Sequence, residues 1–136
     1  MKLTNMEVLN ASGALARLME MDLPIKASLD IAIISNMVDV QTKAYQMVLQ
    51  NLYKKYSIKA EPNESGGVQF TCTLKGENEE ATAKLRQENL EPFAEKLNDL
   101  LEANTADMQF KKTKLPGDIT IKPEILKALV EFVEVG

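Results

Sequence analysis

Apolar and polar positions recur with two different periods along this chain, and the change of period marks its elements. Thr4, with Glu7 three residues on, has the spacing of a capping box. Val8, Ala11, Leu15, Leu18 and Met19 then recur at helical spacing, which predicts a first helix to about Met21. Leu23-Pro24 ends it, because the residue before proline is pushed out of the helical region. A second helix is expected from about Ala27 to Tyr56, and together the two read as a helical hairpin over residues 1–57.

The second helix is unusually apolar. Of the twelve residues in LDIAIISNMVDV, from Leu29 to Val40, eight are hydrophobic. On a wheel at about 100° per residue, Leu29, Val40, Ile33, Ala44, Met37, Val48, Ile34, Leu52, Tyr45, Val38, Leu49 and Ile31 fall within an arc of roughly 200°, twice the stripe of an ordinary surface helix. Such a helix needs cover from two directions. It is either a buried central spine or a surface that meets another chain. Length sharpens the choice: about 29 helical residues span roughly 43 Å, against a diameter of about 37 Å for a compact chain of this size. The end near Tyr53 and Tyr56 therefore projects unless the domain is elongated. Met37, Tyr45, Met47, Tyr53 and Tyr56 are the residue types that anchor protein interfaces, and they form the candidate contact set, with a partner protein or with a second copy as a homodimer.

Beyond Tyr56 the period drops to two. Glu61 to Gly67 is a Pro/Asn/Ser/Gly loop, and Val68, Phe70, Cys72 and Leu74 alternate with polar residues, which predicts a strand over 68–75 with Cys72 on its buried side. An acidic helix is expected from Glu79 to about Asn104, kinked or restarted at Pro92 with Asn89 as a cap. Met108 and Phe110 suggest a strand at 108–112, Ile119 and Ile121 another at 119–121, and Pro123 opens a last helix through Val133. Strands and helices do not alternate strictly. The expected fold is one α+β domain: the hairpin with its long second helix, then a small, mostly antiparallel three-stranded sheet with two further helices over 58–136.

Composition adds mostly exclusions. The chain has 136 residues and no histidine, which removes the commonest general base and metal ligand. One cysteine allows no internal disulfide, fits a reducing compartment, and without histidine leaves neither a Cys/His zinc site nor a Cys–His nucleophile. No phosphate-loop or dinucleotide motif is present, and no cofactor is implied. The Leu29 run is broken by Asp30, Ser35, Asn36 and Asp39, so no membrane span is expected, and no signal-peptide pattern precedes the first helix. Net charge is −4, with the acidic excess in the second half, which argues against general nucleic-acid binding. Carboxylate pairs such as Glu91/Glu95 and Glu95/Asp99 read as solvated helix faces, and Asp30 as a cap near the start of the second helix. Two lysine clusters are candidate anion contacts: Lys54, Lys55 and Lys59, interleaved with Tyr53 and Tyr56, and Lys111, Lys112 and Lys114.

The layout as a whole resembles a known group. MKLTN opening a helix, MDLPIKASL leading into a long helix, LYKKY near its end and ITIKPEILKALVEFVE at the C-terminus resemble small proteins of unknown function encoded by tailed phages and prophages. Lys122 stands where the last helix of such proteins carries an aspartate or serine cap. The resemblance implies a setting in the cytoplasm of a bacterial host, or on the virion, and carries no catalytic or ligand residue. The wide apolar arc joined to the lack of reactive groups points to a non-enzymatic accessory protein acting by protein–protein contact, in inhibition of host defence or in phage assembly. A nucleic-acid or nucleotide binder working through the lysine clusters is the alternative. A carboxylate enzyme using a divalent metal ranks third.

Overall fold

The computed structural model describes residues 3–105 and 108–136. It is a mixed fold of four helices and two two-stranded sheets, in the order α1 (Asn5–Met19), α2 (Ile25–Tyr56), β1 (Ile58–Pro62), β2 (Val68–Cys72), α3 (Glu79–Glu102), β3 (Thr113–Leu115), α4 (Pro123–Ala128) and β4 (Val133–Val135). The chain divides into two compact units, Met1–Ala44 with Glu102–Gly136, and Tyr45–Leu101. The division falls inside α2.

In the first unit, α1 begins as its sequence dictates. The Thr4 hydroxyl accepts from the Glu7 backbone N–H at 3.2 Å, and the Glu7 carboxylate accepts from the Thr4 N–H at 3.0 Å. Beside it, an antiparallel bridge joins Thr4 to Asn104, flanked by Thr105 N donating to the Leu3 carbonyl at 2.7 Å and Asn5 N to the Ala103 carbonyl at 3.0 Å. Val8, Ala11, Leu15 and Leu18 of α1 meet Ala27, Ile31, Ile34 and Val38 of α2 and Leu115, Ile125, Leu129 and Phe132 from the C-terminal segment in one aliphatic core. The spacing of the α2 members, four, three and four residues, is that of a buried helical seam.

The sheet differs from the expected three strands. Residues 108–112 and 119–121 are not strands, and β3 lies at Thr113–Leu115, paired in parallel with β4. The Ile119 N–H turns back to the Pro116 carbonyl at 3.2 Å, which spends that segment on the turn into α4. The last helix is also shorter than its apolar spacing suggests. It stops at Ala128 because the run Val130 to Val135 is rich in β-branched and aromatic residues, and Val133 and Val135 pair with Thr113 and Leu115 instead of continuing the helix. Lys122 sits at the N-cap without a side-chain bond, and Pro123 follows it.

The second unit is a hairpin set among helical segments. β1 and β2 pair antiparallel from Ile58↔Cys72 to Pro62↔Val68. β1 escapes a reading by alternation because only Ile58 of its five residues is buried. The loop is organised by Asn63, whose side chain accepts from Gly67 N at 2.8 Å and Ser65 Oγ at 2.9 Å, with Gly66 at φ +84°. Ser57, at φ 53°, closes α2 in the left-handed region, and its carbonyl accepts from both Thr73 N and Thr73 Oγ1. Asn78 caps α3 through Ala81 N at 2.8 Å. That helix continues through Pro92, and Asn89 is inside it, its amide donating to the Leu85 carbonyl at 2.8 Å, rather than capping a restart. Phe93 is buried at the centre, with ring contacts to Phe70 (5.1 Å), Tyr53 (5.8 Å) and Tyr56 (6.4 Å). Cys72 is a buried free thiol in the same unit.

Candidate functional site

The wide apolar arc of α2 is resolved into two margins. Ala27, Ile31, Ile34 and Val38 face the core of the first unit. Ile25, Leu29, Ile33 and Val40 lie about 160° away on the wheel, and are 86, 60, 51 and 65% exposed. Met37 falls between the two and packs against the core from its edge. Aliphatic residues exposed one by one are ordinary, but Ile25, Leu29 and Ile33 at successive turns make an apolar strip, with Val40 two turns further on beyond the exposed Asn36.

The strip borders a cleft of about 730 Å³ in the same unit. One wall is α2, through Lys26, Ala27, Asp30, Ile33 and Ile34, and the other is Gln109 to Lys112 with Lys114, Leu115 and Pro116, while Pro24 lies at one end. Ile33 belongs to both cleft and strip. Phe110 is half-buried on the core and stacks on Phe132, rings 5.1 Å apart and 4° from parallel. Four lysines, Lys26, Lys111, Lys112 and Lys114, surround this apolar floor with Asp30 as the one acid. Among the described residues the ion pair is Lys59–Glu61 at 3.1 Å, and the four cleft lysines are not in it. The cleft is thus positive in a chain of net charge −4. Asp30, in the second turn of α2 and half-buried, lines this cleft instead of capping the helix, which starts at Ile25 directly after Pro24.

A second cleft of about 520 Å³ in the same unit lies between α1 and α4. Its Glu7, Glu124 and Glu131 nearly balance Arg17 and Lys127, and Glu7 is already spent on the α1 cap.

The candidate residues therefore separate. Lys111, Lys112 and Lys114 come together at the lysine cleft, joined by Lys26, which carried no signal in the sequence because 85 or more positions separate it from them. Lys54, Lys55 and Lys59 do not join them. Lys55 lies over the Tyr56 ring at 5.4 Å, Lys59 pairs with Glu61, and Lys54 is exposed. Of the proposed interface anchors, Met47 is 70% exposed, Met37 is half-buried and Tyr45 is buried. Tyr53 and Tyr56 are half-buried against Phe93. Burial raises the Tyr45 phenol pKa above its usual 10.0, with the nearby Tyr53 adding to the rise, and burial raises that of Tyr53.

Among the described residues no cluster of acids and cysteine could hold a metal ion, and no helix is long and apolar enough to cross a membrane. No family model, curated protein or solved structure matches the chain.

Proposed function

We propose that this chain is a non-enzymatic accessory protein of a tailed phage or prophage that acts by binding another protein, host or phage, in the bacterial cytoplasm or on the particle. Blocking a host defence enzyme and assisting assembly are the two forms this takes. The observation that carries the reading is the exposed strip Ile25, Leu29, Ile33 and Val40 on a helix whose opposite margin already fills a core. An apolar strip of this kind beside a polar rim is the anatomy of a helix-recognising surface. The phage setting rests on the resemblance in layout. The absence of histidine supports a role without acid–base chemistry.

The test is affinity capture from phage-infected bacteria with wild-type protein and the Leu29→Ser/Ile33→Ser/Val40→Ser variant. Each substitution is at an exposed position, so each changes stability by about 0.5 kcal/mol or less. A protein retained by the wild type and lost with the variant is expected. Identical sets of retained proteins would remove the strip as the binding surface.

The alternative, a nucleotide or nucleic-acid binder, draws support from the four lysines of the cleft. Its apolar walls and the acidity of the whole chain weigh against it.

A further inference from the structure

We infer that the lysine cleft and its adjoining strip hold an acidic amphipathic helix of the partner protein, with apolar residues on Ile33 and Leu29 and carboxylates on Lys26, Lys111, Lys112 and Lys114. This rests on the protein-binding reading and names the chemistry of what is bound.

Three occupants are conceivable for a surface like this, and charge separates them. A second copy meeting this face about a two-fold axis would set both copies' lysines against one another, with only Asp30 in each to offset them. Like charges brought together across an interface disfavour it. A single-stranded nucleic acid would be drawn by the lysines, but its bases stack on aromatic faces, and the one aromatic side chain lining the cleft, Phe110, is already stacked on Phe132. No arginine lines the cleft to fork onto a phosphate. An acidic amphipathic helix answers both the lysines and the apolar residues beside them, and leaves Asp30 as the one like charge. Its apolar stripe covers Ile33 and Leu29, and its flanking carboxylates meet lysines that form no ion pair among the described residues. The lysines stay at the rim, where solvent screening keeps each contact modest, so they select the partner more than they hold it.

The experiment titrates full-length protein with three synthetic helical peptides that share one Leu/Ile stripe and are flanked by Glu, Gln or Lys, and with an oligothymidylate. The Glu peptide is expected to bind about tenfold more tightly than the Gln peptide, four rim contacts each contributing a small share. That lead should shrink at high salt. It should also vanish in the Lys26→Gln/Lys111→Gln/Lys112→Gln/Lys114→Gln variant, whose fold is checked by circular dichroism. Equal binding of the Glu and Gln peptides, no binding of the Glu peptide, or tighter binding of the oligothymidylate would overturn the inference. Self-association in light scattering that the same lysine variant abolishes would assign the cleft to a second copy, and would overturn it too. The protein-binding reading is judged separately, by loss or retention of captured protein in the Leu29→Ser/Ile33→Ser/Val40→Ser variant.

Discussion

The two halves of α2 use apolar surface in opposite ways. From Ile25 to Ala44 the helix is aliphatic, buries one margin in a core shared with α1 and the C-terminal segment, and leaves the other margin bare. From Tyr45 to Tyr56 it is aromatic, and Tyr53 and Tyr56 are taken up by Phe70 and Phe93 of the same unit. Aromatic rings at the far end looked like anchors for a partner, yet they are the unit's own mortar. The bare aliphatic margin, chemically the plainer surface, is what the first unit leaves exposed. Residue type alone does not mark an interface. What matters is whether the rest of the chain has already covered that surface.

Removing the ring at the centre of the second unit tests this contrast most severely. Phe93→Ala should cost about 3–5 kcal/mol, because it leaves a cavity between Phe70, Tyr53 and Tyr56. Segment-resolved hydrogen exchange should show protection falling in residues 45–101 while the α1 amides keep theirs. Equal loss throughout the chain would mean that the two units do not differ in this way. A gain is expected in the first unit. The Thr113 hydroxyl is 1% exposed at β3 and has no hydrogen-bond partner among the described residues. Thr113→Val should therefore raise the denaturation midpoint by an amount worth about 1 kcal/mol. A loss of stability would show that the hydroxyl is satisfied. The smallest effect is the response to alkali. The raised phenol pKa values favour neutral tyrosine in the folded second unit, so that stability is complete below pH 10.0 and is lost as pH rises through the raised values. Denaturant melts from about pH 9 to 12 should show this loss, smaller in Tyr45→Phe, which keeps the ring and removes the titrating group. An unchanged alkaline slope in that variant would take Tyr45 out of the account.

Several features set by neighbouring residues were legible in the sequence, though the Asn89 cap and the strands at 108–112 and 119–121 were misread, and those set by distant residues were not legible. The Thr4–Glu7 cap, the break at Pro24, the unbroken length of α2 and strand β2 each depend on a few consecutive positions, and each is present. The mixed α+β class followed from the same local patterns. The pairing of β3 with β4 was hidden because each strand has three residues, too few to show a period, and the intervening segment includes a turn and a helix. The wheel of α2 disclosed a broad apolar arc, but not which margin the core would take. That choice is made by Leu129, Phe132 and Leu115, far along the chain. The cleft was half visible: its three later lysines stand together in sequence, while Lys26 and the apolar floor arrive only through the fold.

The bridge between Thr4 and Asn104, with the Leu3–Thr105 bonds beside it, has a consequence for how the molecule is made. It encloses the entire second unit, whose own hairpin closes over only a few residues. During synthesis every residue of that unit has emerged before the ones that complete the first. Short loops close quickly and long ones slowly. The aromatic module can thus mature early, while Ile31, Ile34 and Val38 have only α1 to cover them until Leu129 and Phe132 arrive. In that interval the core margin of α2 is only half covered, and a ribosome-bound chain is most open to aggregation or to early capture by a partner.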